Sequence, residues 1–469
     1  MHQPLENIPN EPAKKQNGIS PKFKEIIDEL VYRNISRPYK IYQDILLNNY
    51  NDHARPSLLQ IQNYLKYYRK KNGDVNSIVG LEELVKPKLF TNLELKTYAL
   101  DEPIYFGSEI MDGDENNHFH LGITSKQLLQ NVYHGCTFHM DCTYKIVKYG
   151  FPVLVFGCTD IRRKFFPICY FITSHEQEID YSFFWTSLFK IANSLDINLI
   201  ELIDYICIDS CYASANSIQK NLISSTIIMC WYHLKAKINK HANKIPKVHQ
   251  ESVVDDIIHL RSTKTQESIE TKIKNILSKW NKLRGLKPFL KYFKKRWINS
   301  PFRNWKLCNT PAGFSMSNSP IESYNNKIKT HFTDRKKFNL LPVFEIFEKV
   351  VMLESRESLD CVISNCAKAT YTLKLAAKKE IENISLIEKK DNYIKYICKD
   401  RYSVQINTEC MCPDCTDCSC SNFLDKAVCT HLIACCMVES INFPGIVLKS
   451  FISKTKSKKR KAGYWYEKD

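Results

Sequence analysis

The stretch that decides the fold is CTFHMDCTYKIV, residues 136–147, which opens a block of strand and helix patterns ending at residue 233. Two more apolar runs follow it, FPVLVFGCTD (151–160) and FFPICYFIT (165–173), separated by four residues. Short runs rich in β-branched and aromatic residues and bounded by turns are typical of strands. The three runs therefore predict a three-stranded antiparallel meander.

Helical and strand patterns alternate after the meander. In chain order they are a helix in 176–195, a strand in 205–209, a helix in 210–222, a strand in 225–230 and a helix in 231–244. The order βββαβαβα predicts a mixed α/β layer fold.

Two acids stand in unusual places within this block. Asp141 lies inside the first strand and Asp209 ends the strand YICID, and a buried carboxylate is costly unless it is paired or bound to a metal. Glu322, just after Pro320 at a predicted helix start, is a third candidate. Phosphoryl transfer on nucleic acid often uses two divalent ions held by carboxylates. We therefore expect a metal-binding catalytic centre, although an acid at a helix start can also serve as a cap.

Charge is unevenly distributed along the 469 residues, whose net charge is +17. Residues 136–233 carry 7 basic and 9 acidic side chains, whereas residues 234–300 carry 17 basic and 5 acidic ones. This division predicts a slightly acidic metal site beside a basic helical insertion that binds phosphates. No apolar run reaches ~18 residues, so we expect no membrane span, and we expect no small-molecule substrate. The insertion's apolar anchors are Trp280, Phe289, Phe293 and Trp297.

Residues 1–135 do not show the alternating strand and helix pattern of the block described above. Residues 1–19 are polar and lack the apolar stretch of a signal peptide, so we expect a disordered leader. Residues 20–73 predict three helices, typical of a helix-turn-helix-like DNA-binding domain, although a helical bundle with a solvated basic face fits the same pattern. The third helix is expected to begin after Ser57 as its cap and to end at Gly73. The apolar face expected for the second helix consists of Tyr39, Tyr42, Ile45 and Leu46. Residues 74–135 are expected to be a connector with short helices and strands, and with a polar loop at 111–122. The third helix would direct these side chains toward DNA: Gln60, Asn63, Lys66, Tyr67 and Lys70.

Four motifs resemble, in the same order, those of Mutator-like (MULE) transposases. They are FHMDCTYKIVKYGFPVLVF, YICIDSCYASANSI, MCWYHLKAKINK and SNSPIESYNNKIK. The resemblance implies an α/β, ribonuclease-H-like (DDE integrase-type) catalytic core formed by residues 136–233 and 301–350. It also implies a helical insertion at 234–300, in agreement with the strand and helix order above.

The resemblance also implies roles for individual residues. Those implied to be catalytic and to hold Mg²⁺ or Mn²⁺ are Asp141, Asp209 and Glu322. Cys230 and His233 match the family's C-x-x-H element, whose role stays open between core packing, a structural metal and a contribution near the active centre. The family's usual N-terminal zinc module is not visible, because no cysteine precedes residue 136.

Eight of the nineteen cysteines fall between residues 410 and 436. Tetrahedral zinc takes four thiolate or imidazole ligands, and a C-x-C pair followed after eight residues by C-x-H supplies them. The arrangement resembles a SWIM-type zinc finger at 393–441, preceded by a helical linker at 351–392. Cys410 and Cys412, with Cys415 nearby, form an alternative first pair or could hold a second ion. The preferred ligands are Cys418, Cys420, Cys429 and His431.

The function implied by these resemblances is DNA transposition in the nucleus. The partners would be double-stranded DNA, as element ends and target, and a possible homo-oligomer. The basic tail at 442–469 would serve as a nuclear-import signal or contact phosphates. Two alternatives are a domesticated, transposase-derived transcription regulator without catalysis and a SWIM-containing protein-interaction factor. The presence of all three acids favours catalysis, and the basic insertion argues against the interaction factor.

Overall fold

The computed structural model describes residues 18–32, 35, 37–48, 55–71, 78–110, 119–148, 150–359, 361 and 363–446. It has two compact units, one formed by residues 1–80 with 339–342 and the other by the remaining residues. Most of the expected leader and basic tail lies outside the described residues, as do Gly73 and residues 111–118 of the expected polar loop.

A seven-stranded mixed sheet organises the larger unit, in the order β1-β2-β5-β4-β3-β6-β7. β3, β4 and β5 form the predicted antiparallel meander, and β6 and β7 continue the sheet in parallel beyond β3. The strands are β1 Ile104–Ile110, β2 Phe119–Thr124, β3 Thr137–Thr143, β4 Val153–Thr159, β5 Phe165–Thr173, β6 Tyr205–Ile208 and β7 Thr226–Met229.

The predicted order βββαβαβα is confirmed from β3 onward, but the sheet also contains two strands that precede this order in the chain. β1 and β2 lie in the expected connector, where β2 pairs antiparallel with β5. The start of β2 falls within the run that we expected to be a polar loop. The acidic, Asn-rich residues before it obscured the strand FHLGIT, most of which is buried.

Helices cover both faces of the sheet. On one face Phe156 of β4 packs edge-on against Trp185, with ring centroids 5.2 Å apart. On the other face Tyr170 of β5 stacks on Tyr324, with centroids 6.5 Å apart. Burial on both faces explains why the central strands read as nearly continuous apolar runs. The helices on these faces and around them are α5 Lys126–Gln130, α6 Glu178–Asn193, α7 Leu199–Leu202, α8 Tyr212–Asn221, α13 Ser319–Lys327 and α14 Leu340–Leu359. A short helix, α4 Ile78–Val85, precedes the sheet in the chain.

The segment between β7 and α13 is helical, as predicted for the insertion. Its four aromatic anchors, Trp280, Phe289, Phe293 and Trp297, are all fully buried, and Trp280 and Phe293 meet edge-on at 5.1 Å. The helices are α9 Trp231–Lys240, α10 Gln250–Arg261, α11 Gln266–Lys282 and α12 Lys287–Phe293. α12 continues as a π-helical turn to Ile298.

A small antiparallel sheet in the order β11-β10-β9-β8 carries the cysteine-rich region. β8 falls in the expected helical linker, which therefore ends in a strand. The side chains of β8 are mostly exposed, so its sequence lacks the alternation of buried and exposed residues that predicts a strand. The elements here are α15 Tyr371–Lys378, β8 Ile384–Lys389, β9 Tyr393–Cys398, β10 Tyr402–Asn407, β11 Asp417–Cys418, α16 Ser421–Lys426 and α17 Thr430–Val438.

The smaller unit contains the three predicted N-terminal helices, α1 Pro21–Tyr32, α2 Pro38–Leu47 and α3 Leu58–Lys71. α2 buries Ile41 and Ile45, whereas Tyr39 and Leu46, expected on its apolar face, are exposed. Ser57 caps α3 as predicted, because its hydroxyl accepts the Gln60 amide at 3.2 Å.

The Gln60 side chain completes this cap. Its Oε1 accepts the backbone N–H of Ser57 at 2.8 Å, a capping box in which each side chain satisfies the other's backbone. Gln60 is therefore engaged within its own helix start and is a poorer candidate for DNA contact than Asn63 and Lys66, which are exposed.

Candidate metal centre and cysteine clusters

The pairing of β3 with β6 places the first two predicted acids level with each other. His139 pairs in parallel with Cys207, and Asp141 and Asp209 each lie two residues further along their chains. Neighbouring strands are ~4.8 Å apart, so the two backbone positions are adjacent across the sheet. Asp209 follows the last residue of β6, and its Oδ1 accepts the Cys211 amide at 3.0 Å. The strand register thus places the two acids side by side on neighbouring strands, and the charge of Asp209 acts on Asp141.

Glu322 reaches this region from α13, on the face of the sheet opposite α6. It lies in the first turn of α13, and Asn325, one turn further on, donates from Nδ2 to Asp141 Oδ2 at 2.9 Å. That hydrogen bond ties α13 to β3 directly. Glu322 Oε1 is buried and accepts no hydrogen bond from the residues that the structure describes. A buried carboxylate oxygen that lacks a hydrogen bond, on a side chain whose charge acts on Asp141, is suited to a cation.

The raised pKa of Asp141 indicates a buried carboxyl group around which negative charge exceeds positive charge. Burial raises the pKa of Asp141 to about 7, and the charges of Asp209 and Glu322 raise it further, while His233 opposes them. Burial likewise raises the pKa of Glu322. Mg²⁺ and Mn²⁺ favour carboxylate and water ligands, so these three side chains fit such an ion by donor type and by their mutual repulsion.

The closest group of ligand atoms here is not the three acids. Cys230, His233 and Glu322 have ligand atoms that all lie within 4.8 Å of one another, and His233 Nε2 is 3.6 Å from Glu322 Oε1. A hydrogen bond with Cys230 raises the pKa of His233 to about 9, so its ring is cationic at neutral pH. Of the two C-x-x-H residues, whose role the sequence left open, His233 attracts the Glu322 carboxylate, whereas Cys230 repels it.

Two further residues that sequence reasoning missed support α13. His139 lies two residues before Asp141 on the same face of β3, and its Nδ1 is 3.1 Å from Asn318 Oδ1 at the start of α13. Burial lowers the pKa of His139 to about 4, so this link is made by a neutral ring. Asn318 N also donates to Cys230 Sγ at 3.2 Å. The period-2 pattern of β3 was the available signal for His139.

The four preferred zinc ligands meet at the edge of the small sheet. All four are buried, and their ligand atoms lie within 4.8 Å of one another. Cys418 lies in β11, Cys420 and Cys429 cap α16 and α17, and His431 follows in the first turn of α17. This is the expected order of a strand before the first pair and a helix at the second.

Hydrogen bonds orient these thiols before any ion binds. Cys420 Sγ accepts the Phe423 amide at 3.4 Å and Cys429 Sγ accepts the Leu432 amide at 3.3 Å, which favours the thiolate form. The Tyr402 ring stacks on His431 with centroids 4.6 Å apart. Three buried thiols and one imidazole fit tetrahedral zinc, so the cluster could hold zinc in the manner of a SWIM-type finger. Cys410, Cys412 and Cys415 form a separate group.

The block that contains Asp141 and Asp209 matches a known protein-family model. Residues 137–237 match the family model of the MULE transposase domain. The chain carries a MULE transposase domain. This MULE domain begins at the first residue of β3 and ends within α9, so it contains Asp141 and Asp209, whereas Glu322 and the cysteine clusters lie beyond it.

The comparison with curated proteins gave no significant match. In the part of the chain that the structure describes, no helix combines the length and the apolar character needed to cross a membrane. The MULE domain supports a transposase-family role and suggests DNA as the partner.

Replacing Cys418 and Cys420 together by serine is expected to lower bound zinc by one ion per chain, because two of four ligands are lost. Elemental analysis of the purified full-length protein measures this directly. Cys308→Ser, at a half-buried cysteine outside both clusters, is the control and should leave zinc content unchanged. Undiminished zinc in the double variant would exclude this pair as ligands.

Asp141→Asn is expected to stabilise the protein at pH 8 in buffer without Mg²⁺ or Mn²⁺. Because the pKa of Asp141 is raised to about 7, its stabilising contribution is full below the unfolded value and is lost as pH rises through 7. The variant should melt at a higher temperature than wild type, by an amount on the order of a few degrees, and the difference should vanish near pH 4. Asp196→Asn, at an exposed position, is the control. Equal melting at pH 8 would contradict crowding of carboxylates at this site.

Proposed function

We propose that the chain is a DNA transposase of the Mutator-like class, which cuts and joins strands at element ends. The observation that carries this proposal is the level placement of Asp141 and Asp209 inside the MULE domain, with Glu322 on a helix hydrogen-bonded to the same strand. The strand order β5-β4-β3-β6-β7 supports assignment of the core as ribonuclease-H-like. Divalent cations, when bound, supply activation of the attacking oxygen and stabilisation of the leaving oxygen.

The chain's own residues would prepare this chemistry. Asp141 and Asp209 supply carboxylate oxygens from two neighbouring strands, so their separation is fixed by the sheet. Asn325 fixes one oxygen of Asp141 and leaves the other free for a ligand. His233 holds Glu322 by charge, so that this acid remains near the site. A water-derived oxygen would attack a phosphodiester first, and the freed 3′-hydroxyl would then attack target DNA.

A basic stripe on the insertion is suited to the phosphate backbone. Four lysines recur along α12 and its continuation at i, i+4, i+7 and i+8, the spacing of one helical face, and all are exposed, whereas Phe289, Phe293 and Trp297 on the other face are buried. We call these lysines the basic stripe: Lys287, Lys291, Lys294 and Lys295.

The basic stripe is connected to the site by Arg296. Its Nη2 donates to the carbonyl of Ser210, the residue after Asp209, and its guanidinium lies 4.2 Å from the ring centre of Tyr212. DNA held by the stripe would therefore lie beside the Asp209 loop. The N-terminal helices and the zinc finger would add contacts, and transposition would require the nucleus as the site of action.

Magnesium-dependent strand cleavage tests the catalytic part of this proposal. Wild-type protein should nick duplex DNA carrying the inverted repeats that flank the gene, and Asp141→Asn or Asp209→Asn should reduce the rate by at least a hundredfold while DNA binding persists. Asp196→Asn should cleave at the wild-type rate. Cleavage that survives both active-site substitutions would refute the site. Sequence-specific binding by a wild-type protein that never cleaves would favour the domesticated regulator.

Neutralising the basic stripe should weaken DNA binding in a salt-dependent way. The double variant Lys291→Gln/Lys295→Gln should bind DNA with a shallower salt dependence. The negative slope of the logarithm of the DNA association constant against the logarithm of the salt concentration should shrink in magnitude by up to about 2, since each phosphate contact contributes ~0.9. Titration of duplex DNA at several salt concentrations measures this. Lys96→Gln with Lys190→Gln removes the same charge from exposed positions elsewhere and should leave the slope unchanged. An unchanged slope in the stripe variant would place DNA on another surface.

A further inference from the structure

The loop between β10 and β11 brings together three cysteines that the finger does not use. The ligand atoms of Cys410, Cys412 and Cys415 all lie within 4.8 Å of one another, and the three residues are half-buried. The finger's own four ligands form a separate group. Three thiols converging at a half-exposed position have no core to fill, so packing does not account for their arrangement.

Hydrogen bonds from side chains and from the backbone hold the loop in this shape. Asn407 Oδ1 accepts the Cys410 amide at 3.0 Å, and Thr416 Oγ1 donates to the Cys410 carbonyl at 3.0 Å. The amides of Cys415 and Thr416 both donate to the Cys412 carbonyl, at 3.2 and 2.9 Å. The three thiols are thus preorganised on one side of a closed turn, as the ligands of a small ion need to be.

A fourth thiol lies next to this turn. Cys366, between α14 and α15, is buried, and its Sγ donates to the carbonyl of Met411 at 3.6 Å. Met411 separates Cys410 from Cys412, so the sulfur of Cys366 contacts the same turn that carries the other three thiols. The Cys366 carbonyl accepts a hydrogen bond from Arg162 Nε at 3.1 Å, which connects it to the turn between β4 and β5.

We propose that Cys410, Cys412, Cys415 and Cys366 bind a second zinc ion, separate from that of the finger. Four thiolates are soft ligands and a common tetrahedral structural zinc set, and none of the nineteen cysteines is in a disulfide. The ion would fasten the β10–β11 loop to the segment after α14. Because that segment also contacts Arg162, the ion would clamp the small sheet to the hairpin of the main sheet.

Zinc stoichiometry tests the second site in the full-length protein. Wild type should hold two ions per chain, Cys410→Ser with Cys412→Ser and Cys415→Ser should hold one, and Cys418→Ser with Cys420→Ser should also hold one. The variant carrying all five substitutions should hold none. A triple variant that holds as many ions as wild type would overturn the proposal, whichever way the finger behaves.

Alkylation of the wild-type protein avoids dependence on the folding of variants. With zinc bound, Cys410, Cys412 and Cys415 should react with iodoacetamide at least tenfold more slowly than after chelation, as measured by mass spectrometry of peptides. Cys361, half-buried and outside both clusters, serves as the internal control. Equal labelling with and without zinc, or a disulfide among the three, would contradict the site.

Cobalt substitution tests the fourth ligand. The second site should give the visible spectrum of tetrahedral Co²⁺ with four thiolates, and Cys366→Ser should reduce its sulfur-to-metal charge-transfer band by about a quarter, one thiolate of four. Cys308→Ser should leave the spectrum unchanged. A Cys366→Ser spectrum identical to that of wild type would exclude Cys366 as the ligand.

Discussion

The parallel pairing of β3 with β6 is the constraint on which the rest of the site depends. It fixes Asp141 and Asp209 at the same height on adjacent strands, where burial and the charge of Asp209 make the ionised form of Asp141 costly. Neighbouring polar and charged side chains reduce this electrostatic cost, while the acids stay on adjacent strands. Asn325 donates to Asp141, His233 offsets Glu322, and a bound divalent cation would neutralise what remains.

The helices around the sheet each contribute residues to the site formed by Asp141 and Asp209. α13 delivers both Asn325 and Glu322 and is itself held by His139 through Asn318. The insertion buries its aromatic anchors and presents its lysines outward, and Arg296 connects it to the loop after Asp209. Negative charge is thus concentrated at the sheet and positive charge beside it, a division that suits a polyanion reacting at a cation site.

The sequence predicted the meander, the alternating order and the helical insertion because their signals are local: apolar runs, turns and helical spacing. It did not place the connector strands β1 and β2 in this sheet, since an acidic run precedes β2 and pairing with β5 is a long-range contact. Asp141 and Asp209 became candidates because of their position in apolar strands, and Glu322 because of its place at a helix start and its resemblance to the family's third motif. The roles of His233, Asn318 and Asn325 could not be predicted, because they arise from α13 packing onto β3, 184 residues apart between Asn325 and Asp141.

The central claim is that Asp141 and Asp209 jointly bind a divalent cation. The most direct measurement is anomalous scattering from crystals of the full-length protein grown with Mn²⁺ and with zinc already bound. The claim predicts a manganese peak within coordination distance of carboxylate oxygens from both aspartates. A manganese peak confined to Cys230, His233 and Glu322, or none near the two aspartates at saturating Mn²⁺, would contradict it.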